Sequence, residues 1–313
     1  AELPSTLAYL LFLHDHAALA DPSHEVPQCA VAFPDEPRWP APRHTQPPLK
    51  AESVTPYDLV HRVRDTNRAS VPTVAEQVFS GLIELHGDHL FGDDPAIVGG
   101  IALLGRRPVT VICTDRGRTT KERVARNFGS PEPEGYRKAL RLMRQAEKFG
   151  RPVVCLVDTS GAFPGMEAEE RGQGAAIADD IMAMSGLRVP EVSVIMGEGG
   201  SGGAIALATA DRVLMLSDAV YSVVSPEACA SILWKTPKRA GEAAEALGIT
   251  APTLERLGIV DGEIDAAGLG TPEFAARLAG RLREELAQLE GKDAEELVSA
   301  RYERFRRMGR FDA

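Results

Sequence analysis

The segment Gly197-Glu-Gly-Gly-Ser-Gly-Gly-Ala204 puts five glycines into seven positions, between the apolar run Val192-Ser-Val-Ile-Met196 and a helical run with Ile205 and Leu207. Glycine lets the backbone take left-handed angles and lets another group come close to its amides. A helix that starts there leaves its first N–H groups unpaired and adds a positive dipole end. The combination suits an anion, or an oxygen that becomes negative during reaction. A turn that only lets helix and sheet pack closely accounts for the same glycines. Gly197, Gly199 and Gly202 also fit the G-x-G-x-x-G spacing of a dinucleotide site, with Asp218 placed to meet a ribose. Against that reading, the fingerprint lies mid-chain behind earlier α/β units, and it has no need of Gly200 and Gly203.

A second sharp junction, Asp158-Thr-Ser-Gly-Ala-Phe-Pro-Gly165, follows the run Val153-Val-Cys-Leu-Val157. Ser160 is a conceivable nucleophile, but its neighbours do not form the G-x-S-x-G elbow, and His86 and His89 are the bases available beyond the N-terminal region. Asp158 reads equally as a general base or as an acid that fixes the loop. Glu169, Glu170 and Arg171 are placed to hold the loop by ion pairing, or simply to face solvent. Between Arg116 and Lys148, ten basic residues stand against four acidic ones. On the helix expected over 134–149, Tyr136, Leu140 and Met143 share one face and Arg137, Arg141, Arg144 and Lys148 another. A basic face on an acidic protein points to phosphates or an acidic partner, and a solvated face is the plainer alternative. No aromatic residues are interleaved for base stacking.

These junctions need elements to hold them. Helical periodicity over 73–86 (Val74, Val78, Leu82, Leu85) leads into strands at 97–103 and 108–114, joined by a hairpin turn at Gly105-Arg106-Arg107. The helix over 134–149 is followed by a strand at 153–157, a helix over 167–186, a strand at 192–196 and a helix opening near Ser201. Strands at 212–216 and 220–224 come next. Strands alternating with crossover helices define an α/β protein, with binding expected where strands run into helices. Apolar strands without strict alternation are covered on both faces. From about residue 272 the tail reads as charged amphipathic helix with Phe274, Leu278, Leu282, Leu286 and Leu289 on its apolar stripe, which would pack either on its own domain or on a neighbour.

The chain has 313 residues and a formal charge of −10, with 44% hydrophobic and 26% charged residues. It is too apolar for a disordered chain and too acidic for a strong expectation of nucleic-acid binding. No run is long enough for a membrane span, and the start does not read as a secretory signal. Cys29, Cys113, Cys155 and Cys229 lie far apart without ligand spacing, which favours a reducing cytoplasm and argues against zinc. Ten of the 22 prolines fall in the first 56 residues, and five of the seven histidines lie at or before His61. Residues 1–55 therefore read as an arm on a domain of 56–313. Its His14, His16, His24 and His44 follow no known coordination motif.

Taken in order, Glu84-Leu-His-Gly-Asp88, Asp93-Asp-Pro-Ala-Ile-Val-Gly-Gly100, Gly117-Arg-Thr-Thr-Lys-Glu122, Ala125-Arg-Asn-Phe-Gly129, Pro133-Glu-Gly-Tyr-Arg-Lys-Ala-Leu-Arg-Leu-Met143, Ala168-Glu-Glu-Arg-Gly-Gln173, the glycine segment and Cys229-Ala-Ser-Ile-Leu-Trp-Lys235 form a specific set. The chain resembles the α-subunit family of bacterial acetyl-CoA carboxylase carboxyltransferases from about Thr55 to Val260, and Arg301-Tyr-Glu-Arg304 looks like that family's ending. The resemblance implies a crotonase-like fold of repeated ββα units with flanking helices. It also implies a cytoplasmic α2β2 assembly with a zinc-containing β subunit, working with a biotin carboxyl carrier protein and biotin carboxylase. In the implied reaction a carboxyl group passes from carboxybiotin to acetyl-CoA and gives malonyl-CoA, for fatty-acid synthesis. ATP and nucleotide binding are associated with the same system.

By motif match, the amides of Gly202 and Gly203 would form an oxyanion hole facing biotin. Thr159, Ser160, Gly161, Ala162, Phe163, Gly165, Gly199 and Gly200 would line the biotin pocket. Arg118, Lys121, Arg137 and Arg141 would face CoA or the partner, and no metal is expected in this chain. The amides for the thioester enolate would come from β, so the active site looks shared. Three departures stand out: the family's Asp-Thr-Pro-Gly-Ala-Tyr-Pro-Gly has Ser160 and Phe163 here, Ala228 replaces a glycine, and Asp265-Ala-Ala-Gly-Leu-Gly270 replaces Glu-Pro-Leu-Gly-Gly-Ala-His. The alternatives are transfer to another acyl-CoA, a stand-alone crotonase-like hydratase or hydrolase, and an NAD-binding enzyme.

Overall fold

The computed structural model describes residues 54–309. Nearly all of the expected arm, with Cys29, His14, His16, His24 and His44, lies outside the described residues. Helix α1 (Pro56–Val63) begins where Thr55 and Asp58 exchange side-chain-to-backbone hydrogen bonds, and Pro56 occupies a position that needs no N–H partner. Helix α2 (Val71–Val78) is capped by Ser70 and ends well short of the expected 73–86. Phe79 is already extended, with φ −110° and ψ 145°, and Leu82 belongs to strand β1 (Ser80–Glu84). Pairing with the next strand gives β1 the hydrogen bonds that a helix would have supplied.

Strands β2 (Ile97–Leu104) and β3 (Arg107–Thr114) pair antiparallel from Ile97↔Thr114 to Leu104↔Arg107. The turn is therefore Gly105-Arg106, with Gly105 at φ +66°, and Arg107 is already strand. Strands β4 (Val153–Thr159), β5 (Glu191–Gly200), β6 (Arg212–Leu216) and β8 (Gly262–Ile264) continue the sheet in parallel, in the order β1-β2-β3-β4-β5-β6-β8. The short β7 (Val220–Ser222) pairs with the last three residues of β5, past the end of β6. Every residue of β4 and β5 is buried, as apolar runs covered on both faces should be.

The helices between strands are α3 (Thr120–Ala125), α4 (Pro133–Lys148), α5 (Met166–Glu170), α6 (Gln173–Gly186), α7 (Ser201–Ile205), α8 (Pro226–Trp234), α9 (Ala240–Leu247) and α10 (Ala251–Arg256). The helix expected over 167–186 is thus two helices, because Gly172 stands at φ 84° and breaks the ladder between them. The break turns Gln173 inward, where its amide donates to the carbonyls of Pro131 and Phe163. The tail splits likewise into α11 (Pro272–Leu289) and α12 (Ala294–Arg307), the second opened by an Asp293–Glu296 capping box. Phe274, Leu278, Leu282, Leu286 and Leu289 are all buried in the main core, so the stripe packs on its own domain. Among the described residues no helix is long and apolar enough to cross a membrane, and no cluster of His, Cys, Asp or Glu is arranged to hold a metal ion.

Candidate functional site

Two parallel neighbours, β4 and β5, end side by side, and the loops that leave them rest on each other. Thr159 pairs with Gly199. A Cβ on Gly200 would run into the carbonyl of Ser160. One on Gly203 would stand 2.5 Å from the Tyr136 hydroxyl and 2.6 Å from the Ala162 nitrogen. One on Gly197 would overlap the Asp158 carboxylate, and one on Gly199 would lie 2.7 Å from the Tyr221 ring. Most of the glycine richness thus serves the contact between this turn and the 158–163 loop. Gly202 differs: a Cβ there would meet Ile177 at an ordinary 3.7 Å.

Gly202 and Gly203 are the second and third residues of α7, where N–H groups have no acceptor within the helical turn. Gly202 is partly exposed and Gly203 is buried. Ser201, exposed beside them, holds φ 51°, a left-handed angle rare for serine. Such strain persists only where the surroundings over-determine it, and the packed loops do so here.

The partner loop is fastened at each turn. The Asp158 amide donates to Thr114 Oγ1 at 2.6 Å, and its carboxylate accepts the Glu198 amide at 2.8 Å and Arg116 Nε at 2.9 Å. Asp158 is therefore a loop-fixing acid. The Thr159 hydroxyl bridges the amide and carbonyl of Gly161, and the Phe163 amide donates to Pro131. Of the expected pocket residues, Ser160, Ala162, Phe163 and Gly165 reach the surface, while Thr159, Gly161, Gly199 and Gly200 are buried beneath them. The Ser160 hydroxyl lies 3.2 Å from that of Ser130, and His86 is bonded to Asp93, so no imidazole is shown activating Ser160.

Behind Gly203, the Tyr136 hydroxyl and both carboxyl oxygens of Asp180 are buried without hydrogen-bond partners. Burial pushes both groups well above their ordinary pKa. Neither residue carried a signal in the sequence beyond its place on an amphipathic helix.

The dinucleotide reading is not supported by this geometry. Gly197 and Gly199 lie inside β5 rather than in a loop that cradles phosphate, and Asp218 is gripped by Arg68 at 2.6 and 2.8 Å. The basic helix also behaves differently from the expectation. Arg137 pairs with Asp88 at 2.7 Å and Glu134 at 2.8 Å, and Arg141 donates to the carbonyls of His86 and Gly87. Lys138 is fully buried on Asp93 and the Asp94 carbonyl. These charges fold inward to hold the 86–94 loop, leaving Arg144 and Lys148 exposed on α4 and Arg118 and Lys121 exposed near α3. Arg171 pairs with Glu132 and Glu134, each at 2.8 Å, and lies over the Phe91 ring, while Glu169 and Glu170 stay exposed.

Asp88 offers a direct check of this loop architecture. Burial pushes its carboxyl up, but the amides of Leu90, Phe91 and Gly92 and the Arg137 guanidinium outweigh burial and bring it to about 2. A depressed acid contributes stability above its unfolded value of 3.8, and that contribution fades as pH falls toward 2. Asp88→Asn should therefore cost about 1–3 kcal/mol at neutral pH. The gap in melting temperature from the parent chain should roughly halve by about pH 3. An equal gap at pH 7 and pH 3 would show that charge at Asp88 is not what holds the loop.

The profile of the family described as acetyl co-enzyme A carboxylase carboxyltransferase-like matches residues 49–309. The acetyl-coenzyme A carboxylase carboxyl transferase subunit alpha of Streptococcus equi subsp. zooepidemicus (strain MGCS10565) is 52% identical over 249 residues, which is 80% of this chain and 97% of that protein. The subunit alpha of Streptococcus pyogenes serotype M12 (strain MGAS2096) matches to the same extent. Among solved structures, the transcarboxylase 12S hexamer with methylmalonyl-coenzyme A bound superposes with a TM-score of 0.61 at 19% identity, covering 77% of this chain and 46% of that one. A Pseudomonas malonate decarboxylase hetero-tetramer in complex with coenzyme A gives 0.60 at 20% identity, covering 74% and 92%. At such low identity these two speak for the fold. ATP binding finds no support in any of these names.

Proposed function

The chain belongs to the acetyl-coenzyme A carboxylase carboxyltransferase family, and from that premise we propose that it is the α half of an active site completed by a β subunit. It is a transferase that moves a carboxyl group onto a CoA thioester. In the proposed reaction carboxybiotin on a separate carrier protein is the donor, acetyl-CoA the acceptor and malonyl-CoA the product. The proposed assembly is a cytoplasmic α2β2 tetramer with a zinc-containing β subunit, served by biotin carboxylase. Residues 1–55 would be an arm appended to the 56–313 domain.

The observation that carries this reading is the seating of the 199–203 turn on the 158–163 loop. It packs Gly200 on Ser160 and Gly203 on Ala162 and leaves Gly202, between them in the chain, partly exposed, with no side-chain nucleophile engaged. Carboxyl transfer needs donors for negative charge that develops on oxygen, and backbone amides fixed before reaction supply them without reorganisation. Bound biotin would contribute a ureido group able to release the carboxyl group and accept a proton. This chain's proposed part is to present the Gly202 and Gly203 amides to the ureido oxygen. Thr159, Gly161, Gly199 and Gly200 would set the floor from below, and Ser160, Ala162, Phe163 and Gly165 would form the rim. The buried state of Gly203 makes Gly202 the better-placed donor. Arg118 and Lys121 are proposed to face CoA or β, whereas the bonds of Arg137 and Arg141 favour loop support.

The test is reconstitution. The purified chain should show no carboxybiotin-dependent carboxylation of acetyl-CoA alone and gain it on mixing with a candidate β subunit. Full transferase activity from the isolated chain, or hydration of an enoyl-CoA by it, would overturn the shared-site reading.

A further inference from the structure

Three adjacent strands each contribute one charged group to a point just below the two loops. Arg116 follows the end of β3, Asp158 is the penultimate residue of β4, and Glu198 lies two residues before the end of β5. Arg116 Nε donates to Asp158 Oδ1 at 2.9 Å, and its Nη2 donates to Glu198 Oε2 at 3.0 Å. The Glu198 amide closes the figure by donating to the same Asp158 oxygen at 2.8 Å. Arg64 grips Glu198 from the other side at 2.6 and 3.0 Å, and also holds Glu227 at 2.8 Å.

The surroundings leave this figure little freedom. A Cβ on Gly197 would overlap the Asp158 carboxylate, and one on Gly129 would overlap the Arg116 side chain. The apolar rows of β3, β4 and β5 already hold the strands together, and a buried ion pair adds little to stability that well-packed apolar groups would not. What the guanidinium adds is geometry. Its planar fork fixes two directions at once, which a lysine ammonium cannot do. The residues immediately beyond its two partners are the 159–162 loop and the 199–203 turn, whose mutual seating defines the site.

We propose that Arg116 is a positioning residue for carboxyl transfer, setting the spacing of the two loops through Asp158 and Glu198. The proposal rests on the function proposed above and is tested so that the two can fail separately. Arg116→Lys and Arg116→Ala would be assembled with the β subunit beside the parent complex. Three quantities would be followed: kcat and KM for the acyl-CoA, melting temperature, and hydrogen exchange in the two loops. We expect exchange to quicken in both loops together, kcat to fall by up to ~100-fold, as misplacement by about 1 Å can produce, and KM to stay nearly unchanged. Added guanidinium at low millimolar concentration should restore part of the turnover of Arg116→Ala. A merely structural role would instead lower melting temperature and active fraction, with normal kcat per folded complex. Normal kcat in the folded Arg116→Lys complex, or loops whose exchange does not change, overturns the proposal. A parent complex without transferase activity, in which the variants still loosen both loops, would remove the proposed function and leave Arg116 as the pin between them.

Discussion

Gly203→Val is expected to lower the melting temperature of the chain by about 6–12 °C, and to lower activity mainly through loss of folded protein. The cause is local crowding. Even a methyl on Gly203 would stand 2.5 Å from the Tyr136 hydroxyl and 2.6 Å from the Ala162 nitrogen, and the second of these is backbone that cannot swing aside. Overpacking a well-filled site costs about 1–3 kcal/mol, and a branched side chain between two backbone segments belongs at the top of that range. For a domain of this size about 3 kcal/mol corresponds to the stated shift. Gly202→Ala is the matched control. Its Cβ would meet Ile177 at 3.7 Å, and alanine costs less backbone entropy than glycine in a helical turn, so stability should hold or rise slightly. An ester in place of the Gly202 amide, introduced as the α-hydroxy acid, removes the donor without adding bulk. If that amide stabilises the reacting oxygen, kcat in the α2β2 complex should fall by about a hundred- to a thousandfold. Unchanged turnover with the ester would move the oxyanion site away from this turn. An unchanged melting temperature in Gly203→Val would contradict the packing seen between the loops.

How much of this was legible in the residues follows from what each signal measures. Strands at 153–157 and 192–196 announce themselves as apolar runs covered on both faces, but that β4 runs on to Thr159 and β5 through the glycines to Gly200 is seen only in the structure. The glycine turn is equally plain as composition, but composition does not say what approaches the glycines. Only the structure shows that Ser160, Ala162 and Tyr136 do. Periodicity misleads where two elements share a phase, as across Val78 and Leu82, and where one left-handed residue such as Gly172 breaks a continuous stripe. A basic face reads as a surface, yet Arg137 and Arg141 bend back onto a loop 49 to 55 positions away in the chain. Partners so distant leave no local pattern, and Arg64, Arg116 and Glu198 escaped notice for the same reason. The available clue was an acid at each strand end, Asp158 after an apolar run and Glu198 between two glycines. The motif-level resemblance carried the function further than any of these, since it depends on many short segments in a fixed order.

Arg301→Met is expected to cost about 3–5 kcal/mol, or roughly 10 °C in melting temperature, while leaving kcat per folded complex unchanged. Arg301 is fully buried on α12 and forks onto both oxygens of Asp211 at 3.0 Å. It also caps the carbonyls of Met184 and Leu187 and stands 3.0 Å from the Glu191 carboxylate. Burial pushes Glu191 well above the usual carboxylate range, and both of the hydrogen bonds that Arg301 gives to carboxyl oxygens go to Asp211. Methionine keeps much of the volume but strands that carboxylate, and stranding one partner of a buried pair is what makes the loss large. Removing both charges in Arg301→Met with Asp211→Asn should then recover a substantial part of the deficit, a coupling that a double-mutant cycle reads directly. The contrast with Arg116 lies in position. Glu191 opens β5 and Glu198 is near its other end, about 23 Å away at strand rise, so one cluster fastens the tail to the sheet and the other fastens the loops of the site. Strict additivity in the double mutant would mean that α12 is held by its carbonyl caps and apolar stripe alone. A fall in kcat in the folded Arg301→Met complex would mean that the two ends of β5 are coupled after all.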